Sequence, residues 1–162
     1  MQDYRCGIGF DVHQFATGRK LILGGIEIPH DLGLAGHSDA DVLIHAIIDA
    51  LLGAAGLGDI GHHFPDTDPA YKGISSLALL DVTQQKVRKA GWHIGNIDAT
   101  IVAQRPQLAG YIDRMRDSLD AVIRIGRDRI SVKATTTERL GFAGREEGMA
   151  ALATATLYRQ VV

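Results

Sequence analysis

The chain has 162 residues, 46% of them hydrophobic, which suits one domain with one substantial core. Seventeen lysines and arginines against nineteen acids give a formal net charge of −2, which excludes a broad basic surface for nucleic acid and still permits a small cationic pocket for one ligand. Cys6 is the only cysteine, so no intrachain disulfide can form; without a signal-like N-terminus or an apolar run of ~20 residues, the expectation is a soluble, cytoplasmic protein with no membrane partner.

In chain order, Tyr4 to His13 reads as a strand whose period of two puts Asp11 and His13 on one face, with Phe10 and Val12 on the other. Lys20 to Pro29 reads as a hairpin turning at Gly24 and Gly25. A helix follows, with Ser38 as its expected cap and Ile44, Ile47, Ile48, Leu51 and Leu52 as its apolar stripe. Asp59 to Gly73 is a long polar loop, of the kind that often carries function. A second helix is expected from about Ser75 to Ala90, with Gly91 as its stop. His93 to Gln104 alternates as a strand, Tyr111 to Gly126 is amphipathic through Ile112, Met115, Leu119 and Val122, and Arg129 to Thr137 is a further strand. The segment from Glu146 to Gln160 reads as a closing helix of small residues. This order predicts a single α+β domain over residues 1–162, with helices packed on one face of a mixed sheet beside a small hairpin.

Two constellations carry chemistry. Asp11 and His13 on a strand and His45 on a helix make three borderline ligands, and three protein ligands leave a position open for substrate, as in catalytic zinc sites. Asp41, His45 and Asp49 fall at helical spacing, so either carboxylate is placed to bond the non-ligating nitrogen of His45. The run from Lys133 to Gly148 ends a strand in three threonines and an acid. Its hydroxyls and amides suit phosphate oxygens, and Glu138 suits a hard cation bridging a diphosphate. Lys72, Lys133 and Arg145 are the candidate phosphate charges.

Taken together and in order, GFDVHQF, the stretch from His37 to Gly73, TIVAQRP and KATTTERLGFAGREEG resemble the 2-C-methyl-D-erythritol 2,4-cyclodiphosphate synthases of the non-mevalonate isoprenoid pathway. The resemblance spans nearly the whole chain. It implies a phosphorus–oxygen lyase that releases CMP from a cytidine diphosphate-linked substrate, working as a homotrimer with active sites at subunit boundaries. It also implies one divalent ion per subunit, expected to be zinc, on Asp11, His13 and His45, and a magnesium or manganese ion on the diphosphate with Glu138 as ligand. By the same resemblance, His37 and Thr136 stabilise the transition state, and His37 and Ser38 touch phosphate. Val12 accompanies the ligands Asp11 and His13 in contacting substrate, and Asp59, Ile60, Gly61, Phe64, Pro65, Asp66, Thr67 and Asp68 handle the methylerythritol portion. The cytidine pocket comprises Ala103, Gln104, Arg105, Pro106, Gln107, Leu108 and Ala109 with Ala134, Thr135 and Thr136, lent by a neighbouring subunit, and Thr137 borders it. Phe142 and Arg145 correspond to a central channel that in some members holds an isoprenoid diphosphate.

Two positions depart from that pattern. Gln107 stands where many relatives carry lysine, with Arg105 nearby as a substitute charge, and Glu146 stands where glycine is common and adds negative charge beside the channel. Two other readings remain open: a mononuclear iron oxygenase, because two histidines and a carboxylate are also that metal's facial triad, and a non-catalytic carrier of isoprenoid diphosphates.

Overall fold

The computed structural model describes residues 1–160. Its centre is a five-stranded mixed sheet in the order β4-β1-β7-β5-β6. These strands are β1 (Gln2–Ala16), β4 (Gly33–Leu34), β5 (His93–Val102), β6 (Ile130–Thr135) and β7 (Gly148–Gln160). β7 runs antiparallel to both β1 and β5, whereas β5 and β6 are parallel. A separate hairpin joins β2 (Leu21–Leu23) to β3 (Ile26–Ile28). Three long helices, α1 (Val42–Ala55), α3 (Ser76–Lys89) and α4 (Ile112–Ile123), pack around the sheet's inner face. Two single-turn helices, α2 (Ile60–His63) and α5 (Gly141–Gly144), interrupt the loops. The expected mixed sheet with helices on one face and a small hairpin is observed, and none of the helices is long and apolar enough to cross a membrane among the described residues.

The closing segment corrects the sequence reading, since residues 148–160 form the central strand and not a helix. The reason lies in which side chains are small. Ala151, Ala153 and Ala155 are buried on the face toward α1, while Leu152 and Thr154 point the other way. Period two governs, and alanine is selected by the thinness of the gap beneath a helix, a requirement that imitates helix-forming composition.

The same gap explains β1. A Cβ placed on Gly7 would lie 2.1 Å from the Ala50 carbonyl oxygen, and one on Gly9 would lie 1.9 Å from that of Ala46, so only glycine admits α1 this close. Because Gly7, Gly9, Asp11 and His13 alternate onto one face, the approach that excludes side chains at the first two brings α1 down onto the last two. α1 is nearly all buried, which is why its sequence is apolar on every side.

The cap of α1 also differs from expectation. Asp41, not Ser38, caps the helix, accepting from the Ile44 N–H at 3.1 Å. The same carboxylate accepts from Gly24 N (3.0 Å) and Gly25 N (2.7 Å), so it ties the β2–β3 turn to the helix start. It is therefore unavailable to His45.

The opposite face of the sheet is uncovered. Ile8, Phe10 and Val12 on β1 and Leu152 on β7 are 71%, 54%, 46% and 41% exposed, a contiguous apolar surface that a solitary chain would leave in water.

Candidate active site

β1 and α1 bring Asp11, His13 and His45 together. Asp11 Oδ2 lies 2.9 Å from His13 Nε2 and 3.1 Å from His45 Nδ1, and those two nitrogens are 3.1 Å apart. Two ligands of a tetrahedral ion at about 2.05 Å would stand about 3.3 Å apart, close to this spacing.

The outer hydrogen bonds decide which ring atoms face inward. His13 Nδ1 sits 2.6 Å from the Ala35 carbonyl oxygen, which can only accept, so this nitrogen carries the proton and neutral His13 presents its Nε2 lone pair. His45 Nε2 lies 2.9 Å from Ser76 Oγ, whose own proton is donated to Asp39 Oδ1. The serine oxygen therefore accepts from His45 Nε2–H, and the Nδ1 lone pair of His45 turns toward Asp11. Two imidazole lone pairs and a carboxylate converging at about 3 Å repel one another unless a proton or cation sits among them. The donor set of two nitrogens and one oxygen fits a divalent ion such as zinc.

The electrostatics agree. Burial works against the charged form of His13, but the hydrogen bond and charge of Asp11 outweigh it and raise its pKa above the usual value. Burial likewise acts to raise Asp11, yet its bonds with the two imidazoles hold it down at about 2. When His13 is protonated, its Nε2 proton points at Asp11, into the place a cation would take.

Asp41 and Asp49 are not the partners of His45 that helical spacing indicated. Asp41 serves the cap, and Asp49 Oδ1 accepts from Ile60 N at 2.8 Å, anchoring the start of α2. Ser76 and Ser38 are the partners instead, with Ser38 Oγ at 3.2 Å. No local pattern marks Ser76, because its contact with His45 exists only once α3 packs on α1.

A cavity of about 330 Å³ opens over the cluster, lined by Asp11, His13 and His45 together with His37, Ser38, Ile60, Gly61, Phe64, Pro65 and Asp66 from the expected set. Gly36, Tyr71 and Leu79 complete it. Arg19 pins the strap that carries His37, donating to the carbonyls of Gly36 (3.1 Å) and Ser38 (2.6 Å). His37 Nε2 lies 3.1 Å from the Asp68 carbonyl oxygen and donates to it. Asp59 and Asp68 cap short helical turns through His62 N and Ala70 N, with Thr67 in the same loop, and Val12 points to the open face of the sheet.

A larger cleft of about 730 Å³ is lined by Ala103, Gln104, Pro106, Gln107, Leu108, Ala109, Ala134, Thr135 and Thr136, joined by Ile112 and Asp113 of α4. Arg105 points elsewhere, forming an ion pair with Glu146 at 3.4 Å, so the charge invoked to offset Gln107 is shared with the acid beside the channel segment. The Thr136 hydroxyl donates to Glu138 Oε1 at 3.3 Å, and Thr137 donates to the Leu140 carbonyl at 2.6 Å. Glu138 and Arg139 hold left-handed backbone, φ 53° and 66°, which is costly for residues with a Cβ and marks a tight turn at the strand end. Lys133 is paired with Asp98, and Arg145 with Glu147; Phe142 is partly exposed.

Registers put both cavities at one end of the sheet, because Val12 pairs with Ala150, Ala150 with Val102 and Val102 with Thr135. Three strand spacings, roughly 14 Å, separate the β1 end from the β6 end.

The YgbB family model matches residues 4–158. The chain is 61% identical over 153 residues to the 2-C-methyl-D-erythritol 2,4-cyclodiphosphate synthase of Syntrophobacter fumaroxidans, covering 94% of this chain and 96% of that protein. It is 62% identical over 149 residues to the same-named protein of Geobacter sulfurreducens, covering 92% and 95%. Among solved structures, the bifunctional IspDF of Campylobacter jejuni superposes with a TM-score of 0.95 at 46% identity over 99% of this chain, which spans 43% of that longer protein. A 2C-methyl-D-erythritol-2,4-cyclodiphosphate synthase in its CDP-bound form superposes with a TM-score of 0.86 at 37% identity, over 94% of this chain and 99% of that one. With sequence, fold and nearly full-length coverage in agreement, the chain belongs to the YgbB family.

Proposed function

We propose that this protein converts 4-diphosphocytidyl-2-C-methyl-D-erythritol 2-phosphate into 2-C-methyl-D-erythritol 2,4-cyclodiphosphate and CMP. The observation that carries the reading is the convergence of Asp11, His13 and His45 lone pairs beneath a cavity lined by His37 and Ser38, in a chain whose relatives bear that enzyme's name. In the reaction an oxygen of the 2-phosphate forms a bond to the β-phosphorus while the bond from that phosphorus to the α-phosphate bridging oxygen breaks, and CMP leaves with the electron pair. The attacking oxygen is already anionic, so the protein needs no strong base. Its task is to fold the substrate on itself and to balance charge as the ring closes.

A zinc ion on Asp11, His13 and His45, with a magnesium or manganese ion bound through Glu138, would supply Lewis-acid neutralisation of the diphosphate. The residues of the chain do the rest. His37, with Nε2–H committed to the Asp68 carbonyl, is held at the cavity wall by the Arg19-pinned strap, and Ser38 adds its hydroxyl toward phosphate. Ile60, Gly61, Phe64 and Pro65, which line the cavity with Asp66, would wall off the methylerythritol from water, and Asp66 together with Asp59 at the start of α2 would bond its hydroxyls. The Ala103–Ala109 segment with Ala134, Thr135 and Thr136 receives cytidine, and Thr136 steadies the departing phosphate. The CDP complexes among related structures support that assignment.

We further propose a homotrimer. The uncovered apolar sheet face is the surface it would bury, and in such an assembly the nucleotide cleft of one subunit would serve the metal cavity of the next. The oxygenase and carrier readings gain no support from relatives named as cyclodiphosphate synthases.

The test is incubation of the purified protein with the cytidyl substrate, with and without chelator, followed by phosphorus NMR. Appearance of CMP and a cyclic diphosphate, abolished by chelator and restored by added metal, is the expected result; unchanged substrate in the metal-loaded protein overturns the proposal.

A further inference from the structure

We propose that Asp39 and Ser76 are positioning residues that choose which nitrogen of His45 is offered to a metal, an inference that rests on the metal reading of the cluster. His45 has two competing arrangements. With its proton on Nδ1, the ring would donate to Asp11 Oδ2 at 3.1 Å, and Nε2 would accept from the Ser38 hydroxyl at 3.2 Å. That arrangement satisfies Asp11 and Ser38 and closes the site, because the nitrogen facing Asp11 no longer has a free lone pair.

Asp39 breaks the tie. Its Oδ1 takes the Ser76 hydroxyl proton at 2.5 Å, and its Oδ2 takes the Ser76 backbone N–H at 2.9 Å, so both donors of Ser76 point away from His45. Ser76 Oγ then faces His45 Nε2 at 2.9 Å with a lone pair only, and a proton on Nε2 is what satisfies it. Ser76 and His45 are buried, which leaves no water to make good a mismatched pair. The pair therefore holds the proton on the outer nitrogen and turns the Nδ1 lone pair inward, toward Asp11 and His13.

Asp39 also fixes the strap next to the site. Its backbone N–H donates to the Ile74 carbonyl at 3.1 Å, while Gly73 N donates to the His37 carbonyl at 2.8 Å. One residue thus meets Ser76 through its carboxylate and the Ile74 carbonyl through its backbone, next to the segment that carries His37.

The test uses the full-length protein and two measurements independent of turnover. Long-range proton–nitrogen NMR of zinc-loaded wild type is expected to show His45 protonated at Nε2. After zinc is withdrawn from Ser76→Ala or Asp39→Asn, the spectrum should gain the Nδ1-protonated form. Zinc affinity, from competition with a chromogenic chelator, should fall by roughly 10–100-fold in both variants, and Ser76→Thr, which restores the hydroxyl, should recover most of it. Nδ1 protonation in zinc-loaded wild type overturns the proposal, and so does wild-type zinc affinity in folded Ser76→Ala. If the alanine variant does not fold, Asp39→Asn and the wild-type spectrum decide. The proposed cyclisation is tested separately by CMP release from wild type, so its failure leaves this result readable.

Discussion

His45 Nδ1 stands 3.1 Å from Asp11 Oδ2 across 34 residues of chain, and this distance exists because Gly7 and Gly9 let α1 lie directly on β1. His45→Ala should lower zinc affinity at least about 100-fold, beyond the effect of losing an outer partner, and reduce CMP release to background. The metal-free variant should still fold, because His45 lies outside the apolar stripe of α1, and circular dichroism checks this. Wild-type metal stoichiometry in the purified variant, by atomic emission, would contradict the assignment.

Metal loading should depend on pH with a definite sign. The folded-state pKa of His13 is raised, so its bond to Asp11 stabilises the metal-free protein fully below about 6.5 and is lost as pH rises through that raised value. Asp11, held at about 2, contributes above about 3.8 and is lost as pH falls toward 2. A metal ion must displace the His13 proton, so zinc should raise the melting temperature much more at pH 8 than at pH 5.5. Equal increments by differential scanning fluorimetry would show that no proton is displaced.

Asp41→Ala should destabilise the protein by about 3 kcal/mol, summing a lost helix cap of about 1 kcal/mol and the stranded N–H groups of Gly24 and Gly25. Asp41→Asn keeps one acceptor oxygen and should fall between the two. Urea melts decide, and a loss below about 0.5 kcal/mol for the alanine variant would mean the hairpin turn is held by other contacts.

Phe10→Glu places a charge in the middle of the uncovered sheet face, opposite Leu152. Light scattering should report a trimer for wild type and a monomer for the variant, with CMP release lost because each site would lack its neighbour's cytidine cleft. A variant that remains trimeric would locate the subunit contact on another surface.

Glu138→Gln should weaken the response to added magnesium at least tenfold in midpoint while leaving bound zinc unchanged, because Glu138 belongs to the β6 turn and not to the cluster on β1 and α1. A wild-type magnesium titration would remove Glu138 from the proposed diphosphate site.

Much of this was legible in the chain itself. Period two on β1 put Asp11 and His13 on one face, the stripe from Ile44 to Leu52 gave α1, and the threonine run marked the end of β6, because these patterns follow from backbone periodicity within one element. Other features were settled only by packing between elements. β7 reads as a helix by composition, and its buried alanines make sense only beneath α1. Asp41 at helical spacing from His45 looks like its partner, yet the nearby hairpin turn claims that carboxylate, and Ser76 arrives from α3 to take its place. A sequence fixes which groups are present and their spacing along one element; which lone pair faces which proton depends on contacts between segments far apart in the chain, and those are decided where buried donors and acceptors must all be paired at once.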